Sequence, residues 1–483
     1  MKKSATKNYI YNMLYEVLVI LVPVITTPYV SRTLGAEGIG VYSYTYSIVT
    51  YFSLFAALGT TVYGRRESAI RQGDREQLTL LFWEIECFRI ISSLVCLIVY
   101  VFYSLNSQYF LITIIQSVYI LTVAFDVTWF FQGVEDFGKV VFRNTLVKIL
   151  NIIFIFSLVK SPDDLPMYIF GLAVLPLVGH LITWPTLKKY VDFGFQIKKI
   201  HPFRHTKGSF ALFIPTIASQ VYLLLDKTMI GIFTETAVEN GYYEQAQKIV
   251  KICWTIVTSL ATVMTPRIAY IYANRSKDEV RSAMSKTYNV LWLIACPISF
   301  GLFSIADNLV PWFFGPEFTR VSTLLKIFAG IVFFIGLNSI TGSQYLVATK
   351  KQKVYTFSIL CGAILNFGLN MVLIPKYLSM GAAIASVAAE CIICVIQIIY
   401  VTVFLREIRG SDIFSHAFNY VIAGVCMCVG VRFISLKIPC TMIGTGILIF
   451  LGGIFYITIL ILLRDKFLFE VFRAIKQKII RRD

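Results

Sequence analysis

Apolar residues recur along this chain in long runs, and the runs are separated by short polar or basic segments. A hydrocarbon core about 30 Å thick requires roughly 20 helical residues to cross it, and runs of about that length follow one another through almost the whole sequence. No polar interval is long enough for a folded soluble domain. The pattern predicts an all-α integral membrane protein.

We predict fourteen transmembrane helices and, after them, a basic amphipathic helix over residues 464–483 that lies on the inner leaflet. The predicted spans are residues 9–31, 39–63, 80–104, 109–131, 140–160, 166–187, 209–233, 243–265, 287–309, 321–348, 355–375, 380–405, 416–435 and 441–463.

The distribution of Lys and Arg predicts the orientation of these spans. With the N-terminus placed inside, the inner segments carry 33 basic residues, and the outer loops carry only Arg32, Lys160, Arg320, Lys376 and Lys437. Short loops rich in Lys and Arg remain cytoplasmic. Both termini are therefore expected on the cytoplasmic side of the inner (plasma) membrane.

The two halves of the chain resemble each other at an offset of about 200 residues. In each half a helix is followed by a short outer loop, and the next helix starts at Gly40 or at Gly241. This predicts two pseudo-symmetric six-helix lobes, over residues 1–207 and 208–410. The helices in 411–463 are then an extra pair, and 464–483 is the cytoplasmic tail. Parallel repeats of this kind carry substrate between the lobes.

Composition agrees with the membrane assignment and excludes other classes. The chain is 57% hydrophobic and 15% charged, against about a quarter charged in soluble domains. The net charge of +17 lies in short loops, so no nucleic-acid partner is expected. The cysteines lie almost entirely in apolar runs without a His or second Cys pair nearby, so neither a metal nor another cofactor is expected.

The eighth predicted helix carries a polar stripe along its whole length. Glutamate, lysine and threonine recur at spacings of three and four, at Glu244, Lys248, Lys251, Thr255, Thr258, Thr262 and Thr265. This spacing puts them on one face. Because charges are costly in hydrocarbon, we expect the stripe to line a hydrated cavity. A polar seam between packed helices is the alternative.

Weaker polar stripes occur in three other helices. The first helix carries Asn12 and Glu16, and the second carries Ser43, Ser47 and Thr50 at positions equivalent to Glu244, Lys248 and Lys251. The seventh carries Asp226 next to Lys227. Successive helical residues point about 100° apart, so we expect only one of these two in the cavity and favour Lys227.

Isolated acids within the spans are candidates for a proton or cation site. Asp126 and Glu390 have no obvious local partner, and Glu16 and Asp226 complete the set of coupling-ion candidates. For Glu86 and Arg89, three residues apart, the simplest expectation is a mutual ion pair.

The sequence contains no phosphate-binding G-x-x-x-x-G-K-[ST] loop. The predicted outer loops are short, so a polytopic membrane enzyme is only the second alternative to a transporter, and no catalytic residues are assigned.

Several motifs together resemble those of Wzx-type polysaccharide flippases, which belong to the multidrug/oligosaccharidyl-lipid/polysaccharide exporter superfamily. The matching stretches occur in the same order over nearly the whole chain, at Pro28–Gly35, Gly40–Ser43, Leu58–Arg66, Leu225–Gly231, Gly241–Lys248, Met264–Arg267, Phe314–Phe318 and Gly381–Ala385, followed by Glu390.

The resemblance implies a two-lobed bundle that alternates between inward-open and outward-open states. The implied cargo is a polyprenyl-diphosphate-linked oligosaccharide for capsule or O-antigen assembly. Arg32, Lys248 and Lys251 would then contact the diphosphate or the sugars, together with Lys227. The polar stripes add Thr255, Thr258, Asn12 and Ser47 to the substrate-binding candidates.

The first alternative is a drug/cation antiporter of the same superfamily, whose cavity would be expected to be acidic rather than basic. A flippase would have the lipid-linked oligosaccharide and the lipid bilayer as partners. A polymerase and other polysaccharide-assembly proteins are further candidate partners.

Overall fold

The structure is a computed structural model that describes residues 5–194 and 199–480. The side chains of residues 5–17, 20, 215, 218, 219, 221, 474–476 and 478–480 lie outside the description. The described residues are almost entirely helical and include no strand. They form two compact units, Met1–Gly241 and Tyr242–Asp483.

Nine α-helices among the described residues lie in the first unit. They are α1 (Ala5–Ala57), α2 (Thr60–Ile70), α3 (Arg75–Leu105), α4 (Phe110–Gln116), α5 (Val118–Phe125), α6 (Thr128–Gly133), α7 (Phe137–Leu158), α8 (Leu165–Thr183) and α9 (Thr206–Phe233). Short 3₁₀ turns flank the ends of α8 at Pro162–Asp164 and Trp184–Lys189, and another precedes α9 at Pro202–His205.

The tenth helix starts at the unit boundary, and the described helices after it belong to the second unit. They are α10 (Val238–Asn274), α11 (Lys277–Phe313), α12 (Thr319–Ala329), α13 (Ile331–Asn338), α14 (Gln352–Tyr377), α15 (Ser379–Ile399), α16 (Gly410–Phe414), α17 (Ala417–Ser435), α18 (Met442–Leu462) and α19 (Lys466–Ile480). A 3₁₀ turn covers Pro316–Phe318, and π-helical segments cover Ser339–Val347 and Tyr400–Phe404.

Each predicted span coincides with helix, but the count of fourteen stays a prediction. Among the described residues, eleven helices are long and apolar enough to cross a membrane. A bent pair, Pro316–Ala329 with Ile331–Val347, makes twelve if it forms one span. The first two predicted spans share one helical stretch, Leu21–Ile70, and α9 is not among the eleven.

Two glycines of the sequence repeat mark close backbone contacts in the first unit. α1 is interrupted at Gly35, whose φ of 67° and ψ of 178° are not helical. A Cβ added to Gly40 would lie 1.7 Å from the Ala237 carbonyl oxygen, and one added to Gly241 would lie 1.9 Å from the Ala36 carbonyl oxygen. Only glycine allows the backbones to approach this closely.

The first unit is built around α1, which packs against α3, α5, α7 and α9. Buried aromatic side chains fill the region where α2, α3 and α6 meet, including Phe82, Trp129, Phe130 and Phe131. The unit boundary lies after α9, whereas the predicted lobes divide at 207/208, so the lobe assignment remains a prediction.

In the second unit the predicted extra pair, α17 and α18, packs on α11. The Trp312 indole donates to Thr445 Oγ1 at 2.7 Å, and the Asn308 amide donates to the Ile438 carbonyl at 3.2 Å. These bonds fix the ends of α11 and α18 to each other.

Large apolar side chains cover much of the outer surface. Ile443 and Phe450 on α18 are 77% and 69% exposed, and Phe102 on α3 is 64% exposed. Soluble monomers rarely expose contiguous apolar surface on this scale, and hydrocarbon is the medium in which it is stable.

Candidate functional site

The polar stripe of α10 is not packed inside the second unit. The opposite side of the helix is buried through Tyr243, Ala246, Val250, Val257, Ala261 and Ile268. On the stripe, Lys251 and Thr262 are exposed, and Glu244, Lys248, Thr255, Thr258 and Thr265 are half-buried. The helix is therefore anchored by an apolar face while its lysines and threonines remain accessible.

The two lysines of the stripe differ in their surroundings. Lys248 Nζ lies 3.9 Å from Glu244 Oε1, at the limit of an ion pair. Lys251 makes no ion pair or side-chain hydrogen bond with another described residue, and it lies about 20 Å along the axis from the start of the helix. An accessible ammonium group without an ion pair in a membrane-spanning helix is a candidate binding or transport residue.

The stripe threonines direct their hydroxyl hydrogens back into the helix. Thr255 donates to the Lys251 carbonyl at 2.7 Å, and Thr265 donates to the Ala261 carbonyl at 2.7 Å. Thr258 donates to the Thr255 carbonyl at a longer distance, 3.4 Å. The oxygen lone pairs then remain available as acceptors. Such a surface can receive hydrogen bonds from hydroxyl groups of a sugar.

In the equivalent stripe on α1, Ser43 and Ser47 are buried and Thr50 is half-buried. Ser43 and Ser47 are 1% and 0% exposed. Ser47 donates to the Tyr44 carbonyl at 2.7 Å, and its Oγ lies 2.9 Å from Thr228 Oγ1, which is also 3.1 Å from the Tyr51 hydroxyl. The structure thus brings Ser47 to α9 beside Lys227, but as a helix–helix contact.

The remaining basic candidates of the first unit lie on α1 and α9. Arg32 is exposed, Lys227 is half-buried, and Asp226 is only 5% exposed. This difference favours Lys227 over Asp226 as the accessible member of the adjacent pair. Asn12 and Glu16 lie outside the residues whose side chains are described.

Asp126 has partners that the sequence did not reveal. Its carboxylate lies 3.1 Å from His180 Nδ1, 3.8 Å from Arg143 Nη1 and 3.9 Å from Arg89 Nη2. It also accepts the Thr128 backbone amide at 2.8 Å, at the break between α5 and α6. The sequence shows no obvious local partner for Asp126, and these charged partners come instead from α3, α7 and α8.

His180 offers one nitrogen to two groups of opposite charge. Nδ1 lies 3.1 Å from Asp126 Oδ1 and 2.8 Å from Arg143 Nη1. A protonated Nδ1 donates to Asp126, whereas an unprotonated Nδ1 accepts from Arg143. His180 Nε2 also lies 3.4 Å from Arg143 Nη1, so the imidazole links the carboxylate of Asp126 to the guanidinium of Arg143.

Glu86 and Arg89 do not form the expected ion pair. Both Glu86 carboxyl oxygens are buried without a hydrogen-bond partner among the described residues, and Arg89 Nη2 donates instead to the Val123 carbonyl at 2.6 Å. Residues three apart on a helix can meet, but here the guanidinium turns toward α5.

A cavity of about 330 Å³ adjoins this cluster inside the first unit. Its lining is polar and basic and comprises Arg143, Asn144, Lys148, Asn151 and His180, with Tyr46 and Tyr119 and apolar residues of α7 and α8. The sequence could not indicate this cavity, because the lining residues come from four separate helices.

Charged residues of the second unit are also partnered within the spans. Asn338 donates to Glu390 Oε2 at 2.5 Å and to the Glu390 carbonyl at 3.1 Å. Lys326 Nζ lies 2.8 Å from the Asp307 carboxylate, which also accepts a hydrogen bond from the Arg432 guanidinium. Glu390 thus accepts hydrogen bonds from the end of α13.

The far end of α10 is held by a small polar cluster. Lys351 Nζ lies 5.6 Å from the Tyr272 ring centroid and 2.6 Å from Glu407 Oε2, and the Tyr345 hydroxyl also donates to Glu407. Burial opposes the charge on Glu407, but these hydrogen bonds and the charges of Lys351 and Lys277 hold its pKa below the ordinary value.

The fold and the accessible polar stripe define a multi-pass membrane transporter. The chain belongs to the family described as polysaccharide biosynthesis protein, whose profile matches residues 5–272. The profile of a second family, MatE, matches residues 212–372.

Named relatives and solved structures support this assignment. A putative O-antigen transporter of Escherichia coli (strain K12) is 23% identical over 83% of this chain and 97% of its own. A probable low-salt glycan biosynthesis flippase of Haloferax volcanii is 26% identical over 40% of each chain. The fold is similar to that of the lipid II flippase MurJ in an inward closed conformation, with a TM-score of 0.73 and 16% identity over 95% of this chain and 99% of that one.

Proposed function

We propose that this protein is a flippase for a polyprenyl-diphosphate-linked oligosaccharide. It moves this lipid from the cytoplasmic to the outer leaflet of the inner (plasma) membrane for assembly of a cell-surface polysaccharide such as capsule or O-antigen. The family membership and the names of the relatives support the class of cargo. The observation that carries the proposal is Lys251, an accessible cation without an ion-pair partner among the described residues, on a membrane-spanning helix.

The cargo poses a physical problem that such a helix can solve. Burying an isolated ion in an apolar medium costs tens of kcal/mol on a Born estimate, so a diphosphate and its sugars need a substitute for water. Lys248 and Lys251 supply positive charge, and the oxygens of Thr255 and Thr258 accept from sugar hydroxyls. Arg32 and Lys227 of the first unit are further candidates for contacting the diphosphate or the sugars, and the prenyl chain stays in lipid.

We propose that transport proceeds by alternating access and that both termini are cytoplasmic, as the distribution of Lys and Arg predicts. A polymerase and other polysaccharide-assembly proteins would receive the product. No catalytic role is assigned to any residue.

The driving ion is proposed to act on an acid inside the spans. Asp126 is surrounded by two guanidinium groups and an imidazole, so its charge is needed to balance theirs. Glu390, which accepts a hydrogen bond from the Asn338 side chain, is a second candidate. Asp226 and Glu16 complete the candidates.

The proposal is tested by replacing Lys251 with Gln and, as the matched control, with Arg. Purified variants are reconstituted into liposomes with a fluorescent lipid-linked oligosaccharide, and its transfer between leaflets is followed. A charge-assisted hydrogen bond contributes about 1.5–3 kcal/mol, so K251Q should transport at least about tenfold more slowly, and K251R should stay close to wild type. Unchanged transport in K251Q would contradict the role of Lys251.

The match to the MatE family favours one competitor, a drug/cation antiporter. The same liposomes loaded with a fluorescent organic cation distinguish the two. Efflux of the cation by wild-type protein, without transfer of the lipid-linked sugar, would replace the flippase proposal with the antiporter.

A further inference from the structure

A polar cavity of about 470 Å³ lies in the second unit where α11 begins. One wall is the first three turns of α11, from Asp278 to Asn289. The other walls are α16 with the start of α17, and the start of α19. All of these except α11 belong to the stretch after residue 409, which the sequence repeat does not include. The extra helices therefore complete a site of their own.

The walls of this cavity are joined by buried and partly buried hydrogen bonds. Arg281 donates through two nitrogens to the Asp412 carboxylate, with Nη2 to Oδ1 at 3.1 Å. Asp465 accepts the Leu468 amide at 2.9 Å at the start of α19, and its Oδ2 lies 3.0 Å from His416 Nδ1. The ends of α11, α17 and α19 are thus fixed relative to one another before any ligand binds.

These bonds also keep Asp465 ionised. Burial opposes its charge, but the Leu468 amide and the side chains of His416 and Tyr420 hold its pKa below the ordinary value. The rim of the cavity is therefore firmly attached at neutral pH.

Within the described part of the chain, four charged side chains of the cavity lack an ion pair or side-chain hydrogen bond of their own, although Asp278 interacts electrostatically with Arg281. Lys286 and Lys466 are positive, Asp278 and Glu470 are negative, and all four are exposed at its lining. None of them makes an ion pair within 4 Å or a side-chain hydrogen bond with another described residue. Two unpaired cations and two unpaired anions in one cavity match a ligand that carries both charges.

The inner end of the cavity has an unsatisfied polar group. Asn289 is only 7% exposed, and its Oδ1 is buried without a hydrogen-bond partner among the described residues. A buried acceptor left without a donor costs about 1–3 kcal/mol. A water molecule that donates both to Asn289 Oδ1 and to an anionic group of a bound ligand removes this cost.

The position of the cavity identifies the source of the ligand. The apolar span α18 ends at Leu462, and α19 follows with Lys466 at its start and with Phe469 and Phe472 exposed. A helix with charged and aromatic sides next to a span lies at the membrane interface. The cavity therefore opens at the depth of phospholipid headgroups.

We propose that this cavity binds the headgroup of a zwitterionic aminophospholipid, of the phosphatidylethanolamine type. The phosphate lies between Lys286 and Lys466, and the primary ammonium donates to the carboxylates of Asp278 and Glu470. The acyl chains remain in the bilayer. Lipid binding here stabilises the junction of α11, α17 and α19.

The charge pattern distinguishes this headgroup from the other common ones. A phosphatidylglycerol headgroup has no cation for the two carboxylates. A choline headgroup has the positive charge but no N–H to donate to a carboxylate. An ethanolamine headgroup satisfies both requirements.

The test measures lipid binding by the purified full-length protein and does not depend on transport. Phosphatidylethanolamine, phosphatidylcholine and phosphatidylglycerol with identical acyl chains are titrated, and bound lipid is counted by native mass spectrometry. We expect wild-type protein to bind the ethanolamine lipid about tenfold more tightly than the other two. Equal binding of the three, or a preference for phosphatidylglycerol, would overturn the proposal.

Two double variants test the contacts to the phosphate and the contacts to the ammonium group separately. K286Q/K466Q should weaken both the ethanolamine and the glycerol lipid, whereas D278N/E470Q should weaken the ethanolamine lipid alone. E279Q, one residue along α11 and outside the lining, is the control and should bind like wild type. Identical lipid profiles for both double variants and the control would contradict the assignment.

Soluble glycerophosphoethanolamine identifies the source of the headgroup. If the occupant is a membrane lipid, the soluble compound should compete at least about 100-fold more weakly than the intact lipid. Equal affinity for the soluble compound would mean that the site takes a soluble zwitterion, and the lipid proposal would fail.

Discussion

Two equivalent stretches of the repeat, Ser43–Thr50 on α1 and Glu244–Lys251 on α10, use the same helix positions in opposite ways. On α1 the side chains are short hydroxyls, and Ser43 and Ser47 are almost fully buried. On α10 they are long and charged, and Lys251 is exposed.

The difference follows from what each group needs when it leaves water. A hydroxyl donates one hydrogen, which the preceding turn of its own helix can accept, so a serine is buried at little cost. An ammonium group carries three donors and a charge and must remain hydrated or meet an anion. A repeated backbone therefore does not imply a repeated binding surface.

The largest expected effect comes from exchanging the two chemistries. S47K would bury an ammonium group at a position that is 0% exposed, which costs several kcal/mol, so we expect little folded protein in the membrane. K248S should fold with wild-type yield and transport more slowly. Folded protein is measured by size-exclusion chromatography, and transport is measured with the liposome assay.

One outcome of these substitutions would contradict the proposed difference between the α1 and α10 stripes. If S47K folds normally and transports faster, then Ser47 faces the cargo and the α1 stripe is a binding surface like that of α10.

A smaller effect is expected when one hydroxyl is removed from each stripe. S47A loses its bond to Thr228 and should lower stability by about 1 kcal/mol, with an unchanged apparent KM for the lipid-linked sugar. T258V removes an accessible acceptor and should raise that KM by a few fold without changing the melting temperature. A raised KM in S47A would reverse the two roles.

The smallest expected effect concerns the end of α10. There Glu407 forms an ion pair with Lys351, which lies against the Tyr272 ring of α10. Because the pKa of Glu407 is lowered in the folded protein, its contribution is present above its ordinary pKa of about 4.5 and is lost as pH falls through the lower folded value. E407Q should therefore melt about 2–4 °C below wild type at pH 7. The difference should shrink below about pH 4, and a constant difference down to pH 3 would exclude the carboxylate as its source.

Hydropathy predicted the helices well but not their breaks or extensions. Residues 109–131 are divided among three helices, and the backbone leaves the helical conformation at Asp126, whose ψ is 102°, without a change in the apolar character of the run. α10 and α11 each have 37 residues, because polar residues such as Lys277 and Arg281 continue the helix beyond the bilayer. The length and polarity of an apolar run predict neither these breaks nor these extensions.

Helical spacing also predicted which stripe residues share a face, since that depends only on local geometry. It could not predict the partners of Asp126, because His180, Arg143 and Arg89 lie on three other helices. The same reason explains the failed Glu86–Arg89 pair: proximity along one helix is easily outweighed by an acceptor on another.

The π-helical stretch Ser339–Val347 contains more residues per turn than an α-helix would. Each π turn closes over one residue more than an α turn, so rewinding one turn to α geometry would release that residue and rotate the following segment by about 100°. The span could thereby turn one side toward a new neighbour while staying hydrogen-bonded throughout. Asn338, which donates a hydrogen bond to Glu390, directly precedes this π-helical stretch.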